Sequence, residues 1–242
     1  SYGGDKGIFA YGYTGSNVSM SNLANNAGVI ATDVTGVGTA RYNLEATTYG
    51  FDKAIFGYGW TSGYVSLSNL VSSSGVVASD TTGVGTVRAS LAATTYGSSG
   101  QAIFGYGDSG AAASMTNLVT NVGVVGSDVS GVGTARWDLA AATYGSDKAI
   151  FAYGKPSGYV STSNLVSNTG VVSADVTGVG TARGALAAAG YGGDKAIFGY
   201  GGSGGYSSMT NLVNNSGVVA SDVSGVGTNR QALAAAGYST SA

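Results

Sequence analysis

Residues 183–201 read R-G-A-L-A-A-A-G-Y-G-G-D-K-A-I-F-G-Y-G. Two short apolar runs, 186–191 and 195–201, flank Gly192-Gly193-Asp194. Gly accepts a positive φ and Asp bonds nearby backbone amides, so the middle three residues are turn chemistry. Short runs between such punctuation read as strands. A helix needs about 10–12 residues, and each interior Gly costs it about 1 kcal/mol. The L-A-A-A piece has helix-favouring composition, yet it is too short to nucleate one between an Arg turn and Gly-Tyr-Gly. Small residues suit the innermost strand of a blade, where sheets converge on an axis. Residues 206–213 and 218–223 are two further strand candidates, joined by Asn214-Asn215-Ser216-Gly217 and followed by Ser224-Gly225-Val226-Gly227.

The same unit recurs five times. Arg41, Arg88, Arg136, Arg183 and Arg230 are spaced 47, 48, 47 and 47 residues apart. Asp33, Asp80, Asp128, Asp175 and Asp222 keep the step, as do Asn22, Asn69, Asn117, Asn164 and Asn211. So do the Phe from Phe9 to Phe198 and the Tyr from Tyr11 to Tyr200. A fixed period of this length points to a solenoid, a propeller or an array. Four strand candidates per period predict an all-β fold: a five-bladed β-propeller with four antiparallel strands per blade, one domain over residues 1–242. The first copy enters at its second strand, 6–9, and the last ends in a first strand, 233–238. The C-terminal strand is therefore expected to pair with residues 6–11 and close the ring, which removes free sheet edges.

R-x-x-L-A-A-A-x-Y-G-x-D-K-A-I-F-G-Y-G resembles a kelch repeat. In that family an innermost strand and a turn lead into a second strand ending at glycines. Gly57 and Gly59, or Gly199 and Gly201, stand where kelch repeats carry their Gly pair, here split by Tyr58 or Tyr200. The usual fourth-strand Trp is missing. Blade number is also similar to that of five-bladed tachylectin-type lectins, and the Gly-rich repeats look similar to those of viral or phage surface proteins. These likenesses imply a fold and a lectin-like or surface-displayed setting, extracellular or on a virion. They bring no catalytic residue with them.

Composition narrows the function. Charged residues are 9% and hydrophobic ones 43% of the chain, which is opposite to the balance of a disordered protein. A net charge of −2 argues against a nucleic-acid partner, whose binding rests on many Lys and Arg contacts to phosphate. No apolar run approaches the ~18 residues that span a bilayer, so membrane insertion is not expected. The chain has no His and no Cys, which removes the usual general base and thiol nucleophile. No metal, cofactor or catalysis is expected. Carboxylates for glycoside hydrolysis would have to come from Asp108, Asp138 and Glu45, the only Glu.

The repeated Asp and Arg, as in Asp175 and Arg183, are read as structural. The Asp caps the V-T-G-V-G-T turn and the Arg pins adjacent blades. A ring of five Arg binding an anion at the channel mouth is the sharper alternative. The loop offers one carboxylate where calcium needs several and lacks the G-K-[ST] of a phosphate loop. The Tyr of F-[GA]-Y-G reads as blade packing or as a platform for sugar rings.

Residues that break the repeat can speak of a partner. Two segments vary most among the five copies, one after the second strand and one after the Arg. They carry Tyr42, Asn43, Trp60, Asp108, Trp137, Asp138 and Lys155. In a meander both emerge on one face, and aromatic residues beside polar ones suit a binding surface. Drift in surface loops produces the same variety. The expected function is a non-enzymatic recognition module, for carbohydrate or a protein surface, acting as a monomer. The alternative is a structural repeat scaffold without a small-molecule ligand.

Overall fold

The computed structural model describes residues 1–237. It is all-β, with no helix among these residues. The strands are β1 (Gly7–Tyr13) and β2 (Asn17–Ala24); β3 (Glu45–Tyr49), β4 (Lys53–Gly57) and β5 (Ser68–Val71); β6 (Ala92–Tyr96), β7 (Gln101–Asp108) and β8 (Ala112–Val119); β9 (Ala140–Tyr144), β10 (Lys148–Ala152) and β11 (Ser163–Val166); β12 (Ala187–Tyr191), β13 (Lys195–Gly199) and β14 (Thr210–Val213). They form five antiparallel sheets in chain order, one of two strands and four of three.

The expected fourth strand is therefore not a strand. It meets the third at two isolated bridges per sheet, Thr210 with Val223 and Val213 with Val219 in the last. Three steps along β14 face four along the outer segment, so a full ladder cannot form. The extra residue bows out, and the buried Asn211 side chain takes over the pairing. Its amide donates to the Ala220 carbonyl and to Asp222 Oδ1, both at 3.0 Å. The second strand is also shorter than expected in three sheets, and in the other two its register breaks at the same point. At Tyr200 φ turns to 63°, and Tyr11, Tyr58, Tyr106 and Tyr153 share that left-handed geometry. A bulky residue there is strained by about 1–3 kcal/mol. The twist drops each ring beneath an Arg, and its hydroxyl reaches back to a turn carbonyl, as Tyr106 does to Val132 at 3.1 Å.

That Arg is the joint between sheets. Arg136 is fully buried and lies 4.2 Å over the Tyr106 ring of the third sheet. It donates from Nε to the Tyr153 carbonyl at 2.7 Å and from Nη2 to Asn164 Oδ1 at 2.7 Å, both in the fourth sheet. Nη1 donates to its own Thr134 carbonyl at 2.8 Å. Arg41 and Arg183 repeat the arrangement, and Arg88 repeats it except that its buried Nε has no partner. The Asp and Arg of one repeat do not pair with each other, and the Asp does not cap the turn of its own repeat. Asp175 instead crosses to the preceding repeat, where Thr134 donates to it from its amide and its hydroxyl. Gly133 has to be glycine, because any Cβ would strike Asp175 and Asn164. Arg183 has Asp222 of the next sheet as its nearest carboxylate, at 3.8 Å.

The core is correspondingly divided into four apolar clusters, one between each pair of successive sheets. In each, a Phe packs on the Tyr of the sheet before, with ring centroids 5.2 Å apart for Phe104 on Tyr58. Phe104 also covers Gly57, which leaves room for its ring. No such cluster joins the last sheet to the first among the described residues. Phe9 is 62% exposed where its four equivalents are at most 5%. Arg230 is exposed, although it still stacks 3.8 Å over Tyr200. The expected pairing of 233–238 with 6–11 is not formed among the described residues, and Tyr238 lies outside them. Gly237 instead lies against the Gly190 carbonyl of β12.

Removing Asn164 leaves a buried guanidinium short of an acceptor. Asn164→Ala is expected to lower stability by about 1.5–3 kcal/mol and Arg136→Ala by about 3–5 kcal/mol, read by urea unfolding. Burial works to raise the Asp80, Asp128, Asp175 and Asp222 carboxyls, but bonds from Thr and Asn outweigh it and hold them below their usual value. A depressed folded-state value adds stability above the unfolded value that is lost as pH falls. The unfolding midpoint should therefore drop below about pH 4.

Candidate functional site

The two variable segments meet on one face. Tyr42 bridges Trp60, Ala89 bridges Asp108, Trp137 bridges Lys155 and Gly184 bridges Gly202. Around these bridges lies a half-exposed aromatic rim. Trp60 stands edge-on to Tyr64 at 4.5 Å, and Tyr13 lies 5.4 Å from Tyr42. The Tyr64 hydroxyl donates to Asp108 Oδ2 at 2.6 Å, which pushes its own ionisation up. Asp108 Oδ1 accepts the Gly110 amide at 2.9 Å. Both oxygens of Asp108 are thus engaged by its own loop and the neighbouring one. Lys155 Nζ sits 5.4 Å over the Tyr159 ring, and Tyr159 in turn covers Gly184.

Seen by residue, Tyr42, Trp60 and Asp108 form one group and Trp137 and Lys155 another. Asn43 and Asp138 sit apart, at the mouth of a central channel. Tyr13, Tyr64, Tyr159 and Tyr206 belong to the rim but not to the expected set. Their signal was their place in the same variable segments.

The channel is lined by equivalent residues of all five repeats. A cavity of about 450 Å³ runs between Leu44-Glu45-Ala46 and its counterparts, ending with Leu233-Ala234-Ala235. At the mouth, Asn43, Ser90, Asp138 and Ala185 share a second space of about 330 Å³ with Glu45 and the ring of Leu. Those mouth residues have positive φ, from 50° to 54°. Their backbones form a chain: Ser90 donates to Asn43, Asp138 to Ser90, Ala185 to Asp138 and Ala232 to Ala185, at 2.8–3.1 Å.

Two carboxyls in this space are perturbed. Burial among apolar strands pushes Glu45 up to about 7, and its own Ala46 amide only partly offsets that. Burial also raises Asp138; Lys155 pulls it back and Asp108 pushes it further. Glu45 was noted in the sequence only as the lone Glu. Its place in the channel follows from the repeat, because Ala92, Ala140, Ala187 and Ala234 are its equivalents.

Four of the five Arg are fully buried, so they offer no anion site at the mouth. The Tyr beneath them serve packing; Tyr58, Tyr106 and Tyr153 are at most 1% exposed. Among the described residues, no three His, Cys, Asp or Glu cluster to hold a metal. The chain matches no protein-family model, and no curated protein matches it.

Glu45 has a folded value above its unfolded one, so it costs stability once pH rises past about 4.3. Glu45→Gln should raise stability by about 1–3 kcal/mol near pH 8 and leave it unchanged near pH 4. Thermal unfolding at the two pH values checks this.

Proposed function

We propose that this chain is a monomeric five-bladed β-propeller that acts as a non-enzymatic recognition module, binding glycan or a protein surface through its variable face. One observation carries the functional reading. The segments that differ among repeats converge on one face and bring a rim of half-exposed Trp and Tyr with them. Aromatic rings cover the apolar face of a sugar while polar neighbours bond its hydroxyls. Several weak sites around one axis add through avidity. The opposite face carries in four of its five repeats one motif, a turn with an Asp–Lys pair such as Asp52 with Lys53 at 2.8 Å.

Closure of the propeller is supported by the fit of its two end faces. Phe9, Asn22 and Asp33 of the first sheet are the knobs that the other interfaces use. Gly199, Tyr200, Thr228 and Arg230 of the last are the matching sockets. Next to Gly199, a space of about 210 Å³ lies where the other interfaces place a Phe ring. The scaffold reading has its own support. Val29, Val76, Val171 and Val218 stand at one repeat position on the outer edge, each more than 60% exposed, as suits packing between copies.

A glycan array separates the two readings. Recognition predicts selective binding that falls by about 1–3 kcal/mol in Trp60→Ala or Trp137→Ala, with little change in thermal stability. No glycan or surface partner, or binding indifferent to both substitutions, favours the scaffold. Phe9→Ala tests closure. A seated Phe9 should cost about 3–5 kcal/mol when truncated, an exposed one less than about 0.5 kcal/mol. A melting temperature independent of protein concentration marks a monomer.

A further inference from the structure

The face of Asp–Lys turns breaks its own pattern at one place. Three of those turns put Gly4, Ser146 and Gly193 at one position, with φ of 70–81°. The turn of the second repeat puts Phe51 there, at φ 69° and 65% exposed. A bulky side chain is disfavoured in that left-handed region. Phe51 belongs to none of the four apolar clusters, so packing does not account for it. Its neighbours in the third repeat depart from the pattern as well. Val122 is 69% exposed at a position that is Ala27, Ser74, Thr169 or Ser216 in the other copies. Gly100 and Gln101 stand where the other four turns carry Asp and Lys. Without that Asp, the exposed Asn121 side chain lacks the acceptor that Asn26, Asn168 and Asn215 find in Asp5, Asp147 and Asp194 at 3.0–3.1 Å. Gln101 Oε1 is buried and has no partner. The fold brings these departures together. Gly50 donates to the Gly100 carbonyl at 2.8 Å, and a Cβ on Gly50 would strike the Asn121 carbonyl. Phe51 follows Gly50 and Val122 follows Asn121, so the two apolar side chains leave from one contact.

We propose that this spot is a second docking site, on the face opposite the aromatic rim, for an uncharged apolar peptide segment of another protein. Phe51 is its anchor and Val122 widens the apolar contact. The Asn121 carboxamide offers a donor and an acceptor, the pair that one peptide group requires. Charge fits the same partner. The spot lacks the ion pair of the other turns, and the nearest one, Asp52 with Lys53, is closed on itself at 2.8 Å. A charged partner would find no counter-ion free here, whereas an uncharged one leaves nothing unmet. A sugar is the poorer match, because Phe has no hydroxyl and Val122 gives its hydroxyls nothing to bond. Exposed aromatic residues ringed by neutral polar groups are the usual centre of a protein interface. The site is separate from the rim, so it stands whether or not that face binds glycan.

The test is panning of a random linear peptide library on the immobilised full chain, followed by calorimetric titration of the most enriched peptides. Uncharged apolar peptides should be enriched. Their affinity should fall about tenfold or more in Phe51→Gly and about threefold or more in Val122→Ser, and stay unchanged in Trp60→Ala. Both replacements are residues that other copies carry at these positions, Gly4 and Gly193 for the first, Ser74 and Ser216 for the second. Phe51→Gly should melt no lower than the parent chain, because glycine accepts the left-handed φ. A melting temperature well below the parent's means that Phe51 serves the fold, and overturns the proposal. So does a library with no enriched peptide, enrichment of charged peptides, binding indifferent to Phe51→Gly, or a glycan held through Phe51 in its place.

Discussion

One buried guanidinium per interface holds this protein together. An Arg taken out of water is tolerable only when most of its donors are met and its charge is answered. Here a Tyr ring lies beneath it, and two carbonyls and an Asn oxygen surround it. The Tyr belongs to one sheet and the Asn to the next, so satisfying the Arg means docking two sheets. The Asp of the second sheet then clamps the turn from which the Arg departs. Removing any member of this set leaves another buried and unmet, which is why the five copies keep them together.

This division of the core makes each sheet depend on its neighbours. No sheet buries both its faces alone, and the apolar clusters lie between sheets rather than within them. Stability of this kind adds up interface by interface, as in other repeat folds. Left-handed Tyr residues, costly by themselves, are retained because each ring supplies the floor under an Arg. The same requirement confines variation. Interface positions are held by their neighbours, whereas the segments after the second strand and after the Arg answer only to the rim. The inner strand allows one exception at Glu45, where the side chain meets an open channel instead of a packed wall.

By itself the sequence determined the repeat, the all-β class, the strand order within each unit and the face on which the variable segments gather. These follow from local chemistry: Gly, Asn and Asp punctuation, short apolar runs, and a period that survives across the whole chain. That the segments carrying Trp60, Tyr42, Trp137 and Lys155 share a face was legible because a meander sends alternate loops to one side; which of them meet was not. Tertiary structure alone decided three things. Asp175 serves the turn of the repeat before it, because contacts between sheets, not spacing along the chain, choose its partner. The outer segment fails as a strand, because its extra residue breaks register and Asn211 takes up the slack. Glu45 becomes a perturbed acid because the inner strands of four sheets and residues 233–235 converge around it, an environment that no stretch of neighbouring residues could announce.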